Sequence, residues 1–142
     1  MRIFKGFFPV QKSLRTRTDI LEVMKLIISG TTPSKKNSRI NTRSGRSFPS
    51  KRFSEWEKTA LPELMAQFQD YKVTDYPITV TMIFFNADKR RHDLDNQASS
   101  ILDTLVKANI LEDDNQNFIE CIQLQYGGHD KEKPRCEIYL DD

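Results

Sequence analysis

The sequence PITVTMIFFNADKRRHDLDN, residues 77–96, decides the fold. Its first half, residues 77–86, is β-branched and aromatic, and this composition predicts a strand. The charged residues 88–91 then form a turn. From Asp95 to about Ala108 apolar side chains recur at helical spacing, so a helix is predicted directly after the turn.

The sequence before this stretch predicts a strand, a long loop and a helix. Residues 23–29 are rich in β-forming side chains, which indicates a strand. Residues 31–52 hold many Pro, Gly, Ser, Thr and Asn residues, and these oppose regular structure. Apolar spacing over residues 53–69 predicts a helix, which Pro62 either kinks or divides into two short helices.

The sequence after the central stretch predicts two further strands. They cover residues 117–126 and 136–140, and the loop between them is expected to begin at Gly127 and Gly128. The chain therefore predicts an α/β (α+β) fold with a small mixed sheet of about four strands and two main helices.

The 142 residues suffice for one domain, and their charge is unevenly divided. We interpret residues 1–23 as a basic N-terminal extension that need not be ordered, and residues 24–142 as a single domain. Residues 1–60 hold 14 Lys and Arg against 4 Asp and Glu, a net charge of +10, whereas residues 61–142 hold 8 against 16, a net charge of −8. This division predicts a surface for polyanions beside a region that collects carboxylates.

Composition excludes several classes of protein. No apolar stretch is long enough to span a membrane, and a hydrophobic content of 37% argues against disorder. Cys121 and Cys136 have no metal-binding spacing, so we interpret them as reduced side chains of a protein in a reducing cytosol.

Two acidic runs are the strongest chemical signal. They are DLDN at Asp93–Asn96 and EDDNQ at Glu112–Gln116, at the two ends of the second predicted helix. That helix is roughly 20 Å long, so the runs meet only if the chain folds back. Carboxylates that meet would hold Mg²⁺, which orients a phosphodiester and lowers the pKa of an attacking water.

A purely structural interpretation of the same acids stays open. Asp93 or Asp95 is well placed to cap the helix, because Asp suits its positive end. Asp113 and Asp114 are equally suited to a turn.

The loop at residues 31–52 carries seven positive charges and no acid, so it is expected to follow DNA phosphates with a steep salt dependence. Phe48 is a candidate for stacking on unpaired bases, whereas Phe53 and Trp56 are interpreted as helix core residues. A merely solvated loop is the alternative. The residues expected to bind DNA are Lys35, Lys36, Arg39, Arg43, Arg46, Phe48, Lys51 and Arg52.

Several stretches together resemble the RusA family of Holliday junction resolvases, which is also found in phages and prophages. They are GTTPSKKNSR at Gly30–Arg39, KRRHDLDN at Lys89–Asn96, ILDTLVKANILEDDNQ at Ile101–Gln116, and the final strand. The resemblance covers roughly residues 24–140. It implies a RusA-like fold, a homodimer, and an endonuclease of DNA recombination and repair in a bacterial or phage-infected cytosol. Such an enzyme uses Mg²⁺, with Mn²⁺ as the alternative, to nick opposite strands of a four-way junction.

The resemblance also assigns roles to individual acids. Asp93, Asp95 and Asp114 match the catalytic, metal-binding acids of the family. Asp103 matches a further acid inside the helix, and Asp113 precedes the last ligand.

One position departs from the family pattern. The studied resolvases carry a catalytic lysine four residues after the second Asp of the D-x-D motif, where this chain has Ser99. The cations expected to substitute for it are Lys89, Arg90, Arg91 and Lys107. Lys107 has a simpler interpretation as an i,i+4 partner of Asp103.

The sequence therefore predicts a Mg²⁺-dependent, structure-selective DNA endonuclease without a membrane anchor. A branched-DNA-binding protein that has lost efficient cleavage with the lysine is the first alternative. An RNA-binding or structural protein that uses only the basic loop is the second.

Overall fold

The computed structural model describes residues 23–34, 39–41, 43–45, 47–68 and 73–141. Its elements are β1 (Met24–Ser29), β2 (Arg39–Asn41), β3 (Ser47–Pro49), α1 (Lys51–Phe68), β4 (Ile78–Asn86), α2 (Leu94–Lys107), β5 (Ile119–His129) and β6 (Arg135–Asp141). The predicted strands and helices are thus confirmed, most of them to within one or two residues at each end.

The main sheet has four strands in the order β1–β6–β4–β5. Strand β6 runs antiparallel to both β1 and β4, whereas β4 and β5 are parallel. Parallel neighbours need a crossover connection, and α2 lies in the segment that joins them. The predicted α+β fold, with a mixed four-stranded sheet and two helices, is confirmed.

Both helices contribute to one hydrophobic core on a single face of the sheet. The side chains of Val80, Met82 and Phe84 alternate along β4 toward this core and are at most 1% exposed. Leu64 of α1 and Ile101 of α2 are fully buried in the same cluster. The core therefore fixes where each helix begins relative to the ends of β4.

The segment at residues 31–52 is more regular than predicted. Strands β2 and β3 pair antiparallel, with Ile40 opposite Phe48. The expectation of a wholly irregular loop was wrong for these two short strands, because cross-strand pairing overrides the turn-forming composition.

Helix α1 is continuous over 18 residues with Pro62 inside it, so of the two predicted alternatives, a kink or two short helices, the second was wrong. A proline removes the hydrogen bond to the carbonyl four residues earlier, which here belongs to Lys58. Both Pro62 and Lys58 are exposed, so water can satisfy that carbonyl.

Gly127 and Gly128 lie inside β5 and do not begin a loop, which corrects a further prediction. The β4–β5 register shifts at this point, with Phe84 opposite Tyr126 and Phe85 opposite Gly128. A Cβ atom on Gly127 would stand 2.6 Å from Cε1 of Phe85, so glycine lets the strand pass over the ring.

Side chains of α1 occupy the outer edge of β1. The Gln67 amide accepts a hydrogen bond from the Ile27 main-chain nitrogen at 2.8 Å and donates one to the Ile27 oxygen at 2.6 Å. The Glu63 carboxylate accepts bonds from the Ser29 main-chain nitrogen and hydroxyl. These contacts mimic a neighbouring strand and block that edge.

Neither of the described helices is both long and apolar enough to cross a membrane. Cys121 and Cys136 are free thiols, as predicted, and burial raises the pKa of the Cys136 thiol.

Candidate functional site

Asp93 stands at the junction between the turn after β4 and the first residue of α2. Its backbone is extended, and its main-chain oxygen accepts the first helical bond from the Gln97 nitrogen at 3.1 Å. Asp93 is therefore the N-cap residue, but its carboxylate makes no capping hydrogen bond. The carboxylate is exposed, with the Asn96 amide 3.3 Å away, and so remains accessible to a ligand.

The turn before Asp93 is held by Asp88. The Asp88 carboxylate accepts hydrogen bonds from the Arg90 main-chain nitrogen at 3.0 Å and from Arg90 Nε at 3.2 Å, and it lies 3.3 Å from His92 Nε2. The bond from the Arg90 main chain is the main cause that lowers the pKa of Asp88, assisted by His92. This turn orders the cationic residues that lead into the site.

Asp95 begins an acidic side of α2. It is exposed in the first helical turn, and Ser99 and Asp103 follow it at intervals of four residues, on the same side of the helix. A rise of 1.5 Å per residue places Asp103 about 12 Å along the axis from Asp95.

Asp114 lies in the exposed loop after α2, where the charges of Asp113 and Asp103 act on it. Partial burial of the carboxyl raises the pKa of Asp114, and the charges of Asp113 and Asp103 raise it further. The structure thus associates Asp114 with the C-terminal part of the helix.

The predicted metal ligands do not converge. Across the part of the chain that the structure describes, no three His, Cys, Asp or Glu side chains lie close enough to hold one ion. The donor chemistry of Asp93, Asp95 and Asp114 suits Mg²⁺, because hard cations take carboxylate oxygens. The arrangement of the three side chains does not enclose an ion, so their assignment as a set stays a prediction.

A polar cavity of about 440 Å³ lies beside Asp93. Arg52 from the first turn of α1 lines one side, and Arg91 and His92 from the turn before α2 line the other. A second cavity of about 310 Å³ adjoins it. The residues from Arg90 to His92 and Gln97 line both cavities.

The predicted DNA-binding residues are described only in part. Lys35, Lys36 and Arg46 lie outside the described residues, and Arg39 and Phe48 are described only by their backbone in the β2–β3 hairpin. Arg43 is exposed in the turn between those strands, and Lys51 is exposed with Glu55 Oε1 3.8 Å from its ammonium. Their roles in binding DNA stay predictions.

Lys107 pairs with an acid of the other helix, and its i,i+4 pairing with Asp103 stays a prediction. Its ammonium lies 2.8 Å from the Glu57 carboxylate of α1, so it joins the two helices. Lys107 is also 14 residues from Asp93, about 21 Å along the helix. Arg90 and Arg91 therefore remain nearer to Asp93, and Lys89 is exposed in the same turn.

Phe53 and Trp56 are core residues, as interpreted from the sequence. They are 1% and 8% exposed, and their ring centroids are 5.7 Å apart.

The sequence reasoning missed a buried network that ties α2 to the segment after β1. The Gln97 amide donates to the Thr32 oxygen at 2.9 Å and to Asn86 Oδ1 at 3.1 Å. The Ser100 hydroxyl donates to the Pro33 oxygen at 2.6 Å. The only signal in the sequence is the presence of polar residues at core positions of an amphipathic helix, where a buried polar group requires a partner.

Comparison with known proteins brings these features together. A family model described as endodeoxyribonuclease RusA matches residues 30–141. A curated protein of Aquifex aeolicus (strain VF5), named crossover junction endodeoxyribonuclease RusA, is 32% identical over 98 residues, which is 69% of this chain and 77% of that protein. The family match includes the segment after β1, the turn before α2 and the acidic loop after it.

Proposed function

Because this chain belongs to the RusA family of endodeoxyribonucleases, we propose that it resolves four-way DNA junctions by Mg²⁺-dependent hydrolysis, with one nick in each of two opposite strands. The observation that carries this proposal is the arrangement of charged side chains at the start of α2. There the exposed carboxylate of Asp93 lines a cavity together with several arginines, and the exposed Asp95 follows two residues later in the first turn of α2. A phosphodiester held by the arginines would lie beside the Asp93 carboxylate, with a bound cation bridging the two negative charges.

Asp93, Asp95 and Asp114 would hold Mg²⁺, or Mn²⁺ as the alternative. The bound ion would orient the phosphodiester and lower the pKa of the attacking water. The proposal requires Asp114 to approach the start of α2, which means a movement of the exposed loop that carries it. Partial burial and then repulsion from Asp113 and Asp103 raise the pKa of Asp114, and a bound cation would relieve the repulsion, with Asp103 and Asp113 as supporting acids.

The basic segment at residues 31–52 would hold the junction arms. Its first residues are fixed against α2, because the side chains of Gln97 and Ser100 donate hydrogen bonds to the main-chain oxygens of Thr32 and Pro33. The start of the segment is therefore held beside Asp93, so arms bound there would lie near the acids.

A two-fold homodimer fits a reaction that needs two nicks in a substrate of approximate two-fold symmetry. Strand β5 is its proposed interface. No described strand pairs with the outer edge of β5, and Ile122 and Tyr126 are 43% and 50% exposed there. The cellular location of the protein, a bacterial or phage-infected cytosol, stays a prediction.

Ser99 favours a second candidate, a branched-DNA-binding protein that cleaves slowly or not at all. The resemblance places a catalytic lysine at this position, and a hydroxyl cannot supply its charge.

One experiment separates the candidates. The chain and its Asp93→Asn variant are each incubated with a synthetic four-way junction and Mg²⁺ or Mn²⁺, with Asp75→Asn, an exposed acid outside the site, as the matched control. Paired nicks that disappear only in Asp93→Asn support the enzyme. Tight junction binding without nicks in either metal contradicts it and supports the binding protein. Equal, weak binding of DNA and RNA supports a protein that uses only the basic segment.

A further inference from the structure

The polar cavity beside Asp93 has the features of a site for one phosphate group. Two of its lining residues, Arg52 and Arg91, are 39 positions apart in the chain and belong to different elements. Asp93 is the one carboxylate among the described residues that line it. A guanidinium presents several donors in a planar fork that matches phosphate oxygens.

The cations of this cavity differ in how far they are already engaged. Arg90 is paired with Asp88, and His92 also lies within 3.3 Å of that carboxylate. By contrast, neither Arg52 nor Arg91 forms an ion pair with any described residue. These two guanidinium groups are therefore available to a ligand, while Asp88 holds the turn that carries Arg91.

One lining residue of the cavity, Gln97, is buried and held by hydrogen bonds. Gln97 is 1% exposed and lines both this cavity and the adjoining one. Its amide nitrogen is fixed by Thr32 and Asn86, while its side-chain oxygen has no hydrogen-bond partner among the described residues. A buried acceptor of this kind is normally satisfied by a bound water, which could in turn donate its other proton to a phosphate oxygen in the cavity.

We propose that the cavity between the start of α1 and the start of α2 is a phosphate subsite, in which Arg52 and Arg91 together hold one phosphodiester of the DNA backbone beside Asp93. This inference rests on the proposed function for its ligand, DNA. It gives Arg52 a role distinct from general attraction to DNA, because Arg52 contacts the same phosphate as the turn before α2. It also supplies positive charge near the acids despite Ser99.

The test measures binding without divalent metal to four-way junctions, each carrying one neutral methylphosphonate in place of a phosphate near the crossover. For the unmodified chain, the neutral group at one position should weaken binding by about tenfold, the effect of losing a charge-assisted contact. In Arg52→Gln and in Arg91→Gln, the same neutral group should weaken binding less than about twofold, because that contact is already lost.

Lys51→Gln is the matched control. It removes one charge from the same helical turn as Arg52, and Lys51 does not line the cavity. It should keep the tenfold sensitivity at that phosphate. Each of the three variants should lower the slope of binding against salt by about one, so charge alone does not distinguish them. Arg52 and Arg91 are exposed, and unchanged thermal melts would show that the variants fold.

The subsite is overturned if both arginine variants keep the full sensitivity at every phosphate, or if no position is more sensitive than the others. These binding measurements need no cleavage. Absence of nicks with Mg²⁺ and Mn²⁺ would therefore overturn the proposed enzyme and leave the subsite test valid. If the chain nicks junctions normally but the arginine variants keep the full sensitivity to the neutral phosphate, only the subsite is overturned.

Discussion

The side-chain amide of Gln97 donates a hydrogen bond to the main-chain oxygen of Thr32 at 2.9 Å, across 65 positions of the chain. This bond joins the start of α2, which carries Asp93 and Asp95, to the first residues of the basic segment at residues 31–52. The relative position of the two charged regions therefore depends on a buried neutral contact.

Gln97→Leu should lower the free energy of unfolding by about 2 kcal/mol, because the Thr32 oxygen and Asn86 Oδ1 would lose their donor inside the protein. Nicking at saturating DNA should fall as well, since the basic segment would lose its fixed position. Chemical denaturation and single-turnover nicking measure the two effects. Gln116→Leu, the same change at an exposed position, is the control. Equal stability of the Gln97 and Gln116 variants would contradict the role of the network.

Ser99→Lys tests the departure from the family pattern. Ser99 lies on the same side of α2 as Asp95, so a lysine there would bring a positive charge near the acids. We expect the rate of junction nicking to rise by about tenfold or more, the order of effect of one preorganised donor. Ser99→Gln adds a side chain without charge and should leave the rate unchanged. Identical rates in the two variants would show that charge at this position does not assist cleavage.

Asp114→Asn should make the protein more stable at pH 7 in the absence of divalent cations. The folded-state pKa of Asp114 is raised, so between its ordinary value of 3.8 and the raised value the folded chain binds more protons than the unfolded chain. Stability contributed by this group therefore falls as pH rises through that range and stays lower above it. Removing the charge should gain about 0.5 kcal/mol, a small value because solvent screens the exposed carboxyl.

The gain should vanish well below pH 3.8, where Asp114 is protonated in both states. Denaturation at pH 7 and at a pH well below 3.8 measures this gain in stability. Glu112→Gln, in the same exposed loop, is the control. Added Mg²⁺ should stabilise the unmodified chain more than Asp114→Asn. An equal response of both proteins to Mg²⁺ would argue against Asp114 as a ligand.

The double change of Glu63→Ala and Gln67→Ala should expose the outer edge of β1. Four hydrogen bonds to Ile27 and Ser29 would be lost, which should lower the free energy of unfolding by about 2 kcal/mol, since these contacts are partly exposed. The freed edge should also promote self-association. Light scattering and denaturation measure both effects. Glu55→Ala, exposed on the same helix, should change neither.

Tyr126→Lys tests the proposed dimer interface on β5. A charge at this half-exposed position should be tolerated by the fold but should oppose burial against a second copy. Sedimentation should show the dimer dissociating at protein concentrations about tenfold or more above those that dissociate the unmodified dimer. Met65→Lys is the matched control, because Met65 is an equally exposed apolar residue on α1. Loss of the dimer in the Met65 variant alone would place the interface on that helix.

The local elements of this fold were predictable because they depend on neighbours in sequence. The β-branched and aromatic composition of β4 suits a strand that is buried at almost every position, and the apolar spacing of α2 records burial of one helix face. The regular pairing within residues 31–52 was missed because cross-strand partners, and not local composition, stabilise β2 and β3. Asp93 was likewise recognisable as the start of a helix beside other acids.

By itself, the sequence determined the order of the four main strands and two helices, the uneven division of charge and the family motifs from Lys89 to Gln116. Only the tertiary structure decided which distant residues meet. It brought Arg52 to the cavity that Arg91 and Asp93 line, paired Lys107 with Glu57, and associated Asp114 with Asp103. The physical reason is that periodicity reports burial of one side chain at a time, whereas each of these contacts depends on how helices and loops pack across the whole domain.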